Sequence, residues 1–107
     1  MMKRTDPSSI IKLHQDDRLF PGRLKTIPDS PQVLYVRGIW EWLERNPCVA
    51  IVGTRYASEW GQKTAFQLAA RLSADGWGII SGLAKGIDTA AHKGALAKGG
   101  LTGATLP

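Results

Sequence analysis

Cysteine is nearly missing from this chain: Cys48 is the only one. A single thiol cannot close an intrachain disulfide or build a cysteine-rich metal site, and its apolar neighbours mark it as a core thiol. Histidine is almost as scarce. His14 and His92 lie far apart in sequence, which gives a metal site little support, so neither a metal nor another cofactor is expected. No apolar run approaches the length that crosses a bilayer, and the opening "MMKRTDPSSIIK" carries charge without an apolar signal core. A cytoplasmic location away from membranes is the expectation.

Two phosphate-binding fingerprints are also missing. There is no G-x-x-x-x-G-K-[ST], since Lys85 is followed by glycine and isoleucine, and this disfavours a P-loop hydrolase. There is no G-x-G-x-x-G after the central apolar run either. The bulky Arg55 in its place would crowd a pyrophosphate held by close backbone approach, which disfavours nicotinamide and flavin chemistry.

What remains is an ordinary globular composition, 43% hydrophobic and 21% charged. At 107 residues the chain suits one modest domain with a single core and is too short for two. Glycine is plentiful. Eight of the 12 lie from Gly76 onward, so tight turns and close backbone approaches belong to the C-terminal part. Fourteen Lys and Arg against nine Asp and Glu give a formal charge of +5. This fits a phosphate-bearing partner, or simply a soluble basic surface.

Along the chain, residues 1–12 are polar and read as loosely ordered. Residues 13–47 form a proline-rich lead-in, expected to be extended and irregular, with a short strand over Val33–Val36 and a helical turn within Trp40–Arg45. Residues 48–100 then read as a βαβα core. The run Val49–Val52 lacks alternation, as in a strand buried on both faces. A helix follows over Ser58–Asp75, capped by Ser58 and stopped by Gly76, with Gly61, Ala65, Leu68, Ala69 and Leu72 on its inner face. "WGIISG" is a second apolar strand. It feeds a helix from Asp88, at the cap position, to about Lys98, with Gly99 and Gly100 beyond. Residues 101–107, "LTGATLP", hold the place of a third strand but carry Gly103 inside and Pro107 at the end, which makes them a degenerate one. The fold class is α/β, a partial Rossmann-like parallel sheet of the three-layer type, truncated, with the proline-rich lead-in before it.

In an open parallel sheet, ligands bind beyond the carboxyl ends of the strands. Two loops lie there, "GTRYAS" and "SGLAKG". Each supplies a cation, Arg55 or Lys85, and a small hydroxyl residue, Thr54 or Ser81, beside a turn glycine, Gly53 or Gly82. A phosphate between the loops would meet backbone donors, hydroxyls and two positive charges. The bland alternative is that the glycines only permit sharp turns and the cations only face solvent. Asp88 and His92 stand one helical turn apart and could pair, fixing one imidazole tautomer. A buried structural role suits them better than catalysis, because no nucleophile is tied to them by sequence. Of the tryptophans 40, 42, 60 and 77, Trp77 reads as core, while Trp60 could stack on a base or cover the edge of its helix.

The residues "AIVGTRYASEWG", "IISGLAKGIDTAAHKGAL" and "FPGRLKTIPDSPQVLYVRG" resemble the DNA-processing protein A family (DprA, also called Smf), from about Leu13 to Gly100. The resemblance implies a Rossmann-like domain that binds single-stranded DNA without sequence preference, protects incoming strands in natural transformation and loads the recombinase RecA. It implies no enzymatic activity. By that likeness Gly53, Thr54 and Arg55 match the family's G-[ST]-R phosphate turn, while Ser81, Gly82 and Lys85 match its second loop. Gly86, Asp88 and His92 match the structural signature G-I-D-x-x-A-H. Family members continue past this point with a fuller third strand and with dimer and RecA surfaces. The chain is therefore expected to be the N-terminal half of a member, as after a frameshift or premature stop, with weak DNA binding or none. A nucleotide- or phosphoribosyl-acting Rossmann-like enzyme is the alternative, although the P-G-G-x-G-T-x-x-E element it would need is absent.

Overall fold

A computed structural model describes residues 8–106. The expected looseness of residues 1–12 falls mostly on positions outside the described residues, and Ile11 and Lys12 already belong to a strand. The backbone separates into two compact units, one ending at Arg45 and the other starting at Asn46. The boundary lies beside the expected end of the lead-in. The single expected core is in fact two, one in each unit.

The first unit contains β1 (Ile11–His14), α1 (Gly22–Lys25), β2 (Val33–Val36) and α2 (Trp42–Arg45). β1 pairs antiparallel with β2, Ile11 opposite Val36 and His14 opposite Val33. Leu13, Phe20 and Trp40 are buried, and Ile11, Leu19, Leu24, Leu34, Val36 and Leu43 pack around them. The lead-in is thus folded, not extended. Its prolines rule out a long helix, yet Pro21 precedes α1 and Pro28 and Pro31 lie between the strands, where none interrupts the ladder. Trp40 belongs to this core, its indole N–H donating to the Leu19 carbonyl at 2.9 Å, and it is not available for base stacking. Trp42 donates to the Ile39 carbonyl at 2.8 Å.

The second unit contains β3 (Cys48–Ala50), α3 (Glu59–Ala74), β4 (Gly78–Ser81), α4 (Ile87–Ala97) and β5 (Thr102–Ala104). The sheet order is β3-β4-β5, all parallel, with Val49 opposite Ile79 and Ile80 opposite Gly103. Strands in sequential order with right-handed crossovers put both helices on one face of the sheet. They pack there along each other over Ile51 and Ile79, through Ala65, Ala69, Ala90, Ala91 and Ala95. The degenerate segment does pair, but only over three residues.

Two expectations change here. The first strand is not buried on both faces: Ala50 is exposed and Val52 is 68% exposed, because the described helices cover one face only. The inner face of α3 is Ala65, Ala69, Ala70 and Ser73, while Leu68 is 48% exposed. Leu96 on α4 is likewise turned outward, 63% exposed. The physical reason is the closeness of the two helices. A Cβ added to Gly94 would strike the Phe66 carbonyl oxygen and lie 3.0 Å from Ala69 Cβ, so the seam accepts the smallest side chains and turns leucines away. By contrast Gly61, also placed on the inner face by its spacing, meets nothing nearer than the Ser58 hydroxyl at 3.3 Å.

Candidate nucleic-acid interface

The α3 helix starts as its sequence dictates. Ser58 is the N-cap, its Oγ accepting from Gly61 N at 3.0 Å, and Gly76 ends the helix with φ +89°. α4 starts differently. Its N-cap is Gly86, with no side-chain cap, and Asp88 lies inside the first turn instead of at the cap. That shift frees the carboxylate for another task.

The turn after β3 and the turn after β4 touch through their backbones. Ile87 N donates to the Thr54 carbonyl at 3.3 Å. A Cβ on Gly86 would run into the carbonyl oxygens of Thr54 and Arg55, and a Cβ on Gly53 would lie 2.7 Å from Ile87 Cγ1. Both positions therefore need glycine for the approach itself. Asp88, buried, accepts from Gly53 N at 3.3 Å through Oδ1, and its other oxygen sits where a side chain on Gly82 would be, 2.7 Å from an added Cβ. Thr89 Oγ1 donates to the Ala84 carbonyl at 2.7 Å and holds the middle of the second turn.

His92 does not pair with Asp88. Its Nε2 donates to the Gly82 carbonyl, and the Thr102 hydroxyl meets Nδ1 at 2.6 Å. A carbonyl can only accept, so Nε2 carries a proton, while the Thr102 hydroxyl, which can donate or accept, completes the second bond at Nδ1. The ring bridges the second turn and β5. Ser81 also moves from ligand candidate to frame: it is 1% exposed, and its Oγ donates to the Ile51 carbonyl at 2.6 Å. Its hydroxyl ties the ends of β3 and β4 together. Thr54, by contrast, is exposed, and its Oγ1 accepts from Tyr56 N at 3.1 Å, which orders the first turn.

Gly53, Thr54 and Arg55 are thereby joined to Gly86 and, through Asp88, to Gly82, while Arg55 and Lys85 stand exposed on adjoining turns. Trp60 is 76% exposed, and Trp77 is half-buried. Sequence reasoning passed over Thr89, Thr102 and Tyr56. A threonine three residues after a turn glycine hints at a local bond to that turn, whereas the Thr102 contact arises only once β5 lies beside α4. Among the described residues no cluster of three or more His, Cys, Asp or Glu could hold a metal ion, and no helix is long and apolar enough to cross a membrane.

The family of DNA recombination-mediator protein A matches this chain over residues 11–107. The chain belongs to that family. Within the recombination-mediator protein A family it is similar to protein Smf of Synechocystis sp., 40% identical over 97 residues, covering 88% of this chain and 24% of that protein. The X-ray structure of DNA processing protein A from Streptococcus pneumoniae matches with a TM-score of 0.78 at 40% identity, covering 89% of this chain and 33% of that one. DNA processing protein A from Helicobacter pylori, whose structure concerns its single-stranded DNA binding mode, matches with a TM-score of 0.73 at 29% identity, over 92% of this chain and 43% of that one. The chain thus spans from about a quarter to somewhat under half of the length of these relatives. The α/β fold and the family resemblance read from the motifs are both confirmed.

Proposed function

We propose that the chain binds single-stranded DNA without sequence preference, through phosphate contacts at the paired turns, using Gly53, Thr54, Arg55, Gly82 and Lys85. The observation that carries this reading is the backbone contact of Gly86 and Ile87 with Thr54 and Arg55, which sets two exposed cations on adjoining turns at the carboxyl ends of neighbouring parallel strands. The formal charge of +5 and the single-stranded DNA binding of the Helicobacter pylori relative point the same way. Phosphate contacts carry no sequence information, so such a site grips any strand.

The activity is binding, not catalysis. The groups at the site with catalytic potential, Asp88, His92 and Ser81, are engaged with Gly53 N, the Gly82 carbonyl and the Ile51 carbonyl. RecA loading and self-association are proposed on family likeness alone.

The test is fluorescence anisotropy of a labelled oligo-dT strand titrated at rising salt. Each phosphate neutralised contributes about 0.7 to the slope of log affinity against log salt, or about 2.5-fold in affinity between 50 and 200 mM. Arg55→Ala and Lys85→Ala should each lower the slope by about that amount. Affinity indifferent to salt, or unchanged in both variants, would overturn the proposal.

A further inference from the structure

Tyr56 is 93% exposed and Trp60 is 76% exposed, and they stand on either side of Ser58, within five residues of Arg55. Such rings are ordinarily at least half covered in a folded chain. Trp40 and Trp42 of this chain follow that habit and spend their indole N–H groups on backbone carbonyls. Tyr56 and Trp60 contribute almost no packing to the domain. Both are nevertheless held on fixed backbone: Tyr56 N is bound by Thr54 Oγ1 at 3.1 Å, and Trp60 lies in the first turn of α3, whose start is fixed by Ser58 and by Gln62 Nε2 on the Ala57 carbonyl at 3.0 Å.

Resting on the single-strand reading above, we infer that Tyr56 and Trp60 form a base-stacking platform that flanks the phosphate turn. A single strand offers alternating phosphates and unpaired π-faces. Arg55 and Lys85 suit the first and the two rings suit the second. The occupant follows from this charge and ring arrangement: a cation beside solvent-facing aromatics matches nucleotides whose bases are free. A duplex presents its phosphates to the same turn but keeps its bases stacked inside. The rings therefore add a selection for single strands that the phosphate contacts cannot make.

The experiment compares an oligo-dT strand, an abasic strand of equal length and a blunt duplex by anisotropy, using the full chain. Tyr56→Ala and Trp60→Ala should each weaken oligo-dT binding by about 5- to 150-fold, the range for loss of one base–aromatic stack. Their affinity for the abasic strand and their salt slope should match the parent, and Tyr56→Phe, which keeps the ring, should bind oligo-dT as the parent does. Equal loss on both strands, or loss on neither, overturns the platform. Arg55→Ala run alongside separates the two readings, because it should weaken both strands and lower the salt slope. If it does neither, the phosphate turn is refuted while the ring variants still decide the platform on their own arm.

Discussion

Replacing Gly86 with alanine asks whether the two turns are one site. Gly86 has φ +82° and ψ −123°, a conformation that side-chain-bearing residues rarely adopt and that costs them about 1–3 kcal/mol. The new Cβ would also press on the Thr54 carbonyl oxygen and lie 2.8 Å from that of Arg55. Both are backbone atoms, so neither can rotate aside, and overpacking of this sort costs about 1–3 kcal/mol. Alanine restricts the unfolded chain and returns about 0.4–1 kcal/mol, too little to change the sign. The expected net loss is about 1–6 kcal/mol. Any strain relieved by parting the turns reappears as displacement of Arg55 from Lys85, and so as weaker oligo-dT binding. Urea unfolding followed by circular dichroism measures the first effect, and anisotropy across salt measures the second. A variant within about 0.5 kcal/mol of the parent, the ordinary range of a surface substitution, with the same salt slope would refute the contact between the turns.

Two further substitutions probe the frame. Asp88→Ala removes the acceptor of Gly53 N from a partly buried bond to a carboxylate, which should cost about 1–3 kcal/mol in urea unfolding; Asp88→Asn keeps an acceptor oxygen and should recover part of it, and no recovery would count against the bond. Gly94→Ala sets two effects against each other, a gain in helix propensity of about 1 kcal/mol and an overpacking cost of about 1–3 kcal/mol against the Phe66 backbone. The second should win and lower the unfolding midpoint, and a stabilised variant would show that the helices can move apart freely.

How much of this was legible in the sequence depended on range. Caps and stops act within one turn of chain, and Ser58 and Gly76 are found where the residues place them. The two turns were legible because glycine, hydroxyl and cation recur after both apolar runs, and parallel winding brings strand ends side by side. What failed was decided by neighbours far away in sequence. The seam at Gly94 determined that small residues of α3 and α4 face inward and that Leu68 and Leu96 do not. The spacing of Asp88 and His92 suggested that they bond to each other, yet backbone groups of Gly53 and Gly82 competed for them and won. Ser81 reads as a ligand group in a list of loop residues, and as a strand tie once the Ile51 carbonyl lies beneath it. The lead-in looked irregular because proline limits helices, a rule that says nothing about two short strands pairing around Leu13 and Phe20.

The amino-terminal half of α4 touches both turns: Ile87 on Thr54, Asp88 on Gly53, Thr89 on Ala84, and His92 between Gly82 and Thr102. In terms of local opening, the two turns and the end of β5 form one cooperative unit, released together when the helix end lifts and restored together when it seats. A ligand that recognises only the assembled arrangement must then hold the helix down, and by linkage it slows that opening in proportion to its occupancy. Amide exchange in the first two turns of α4, outside the proposed phosphate contacts, becomes the place where occupancy of the site is recorded.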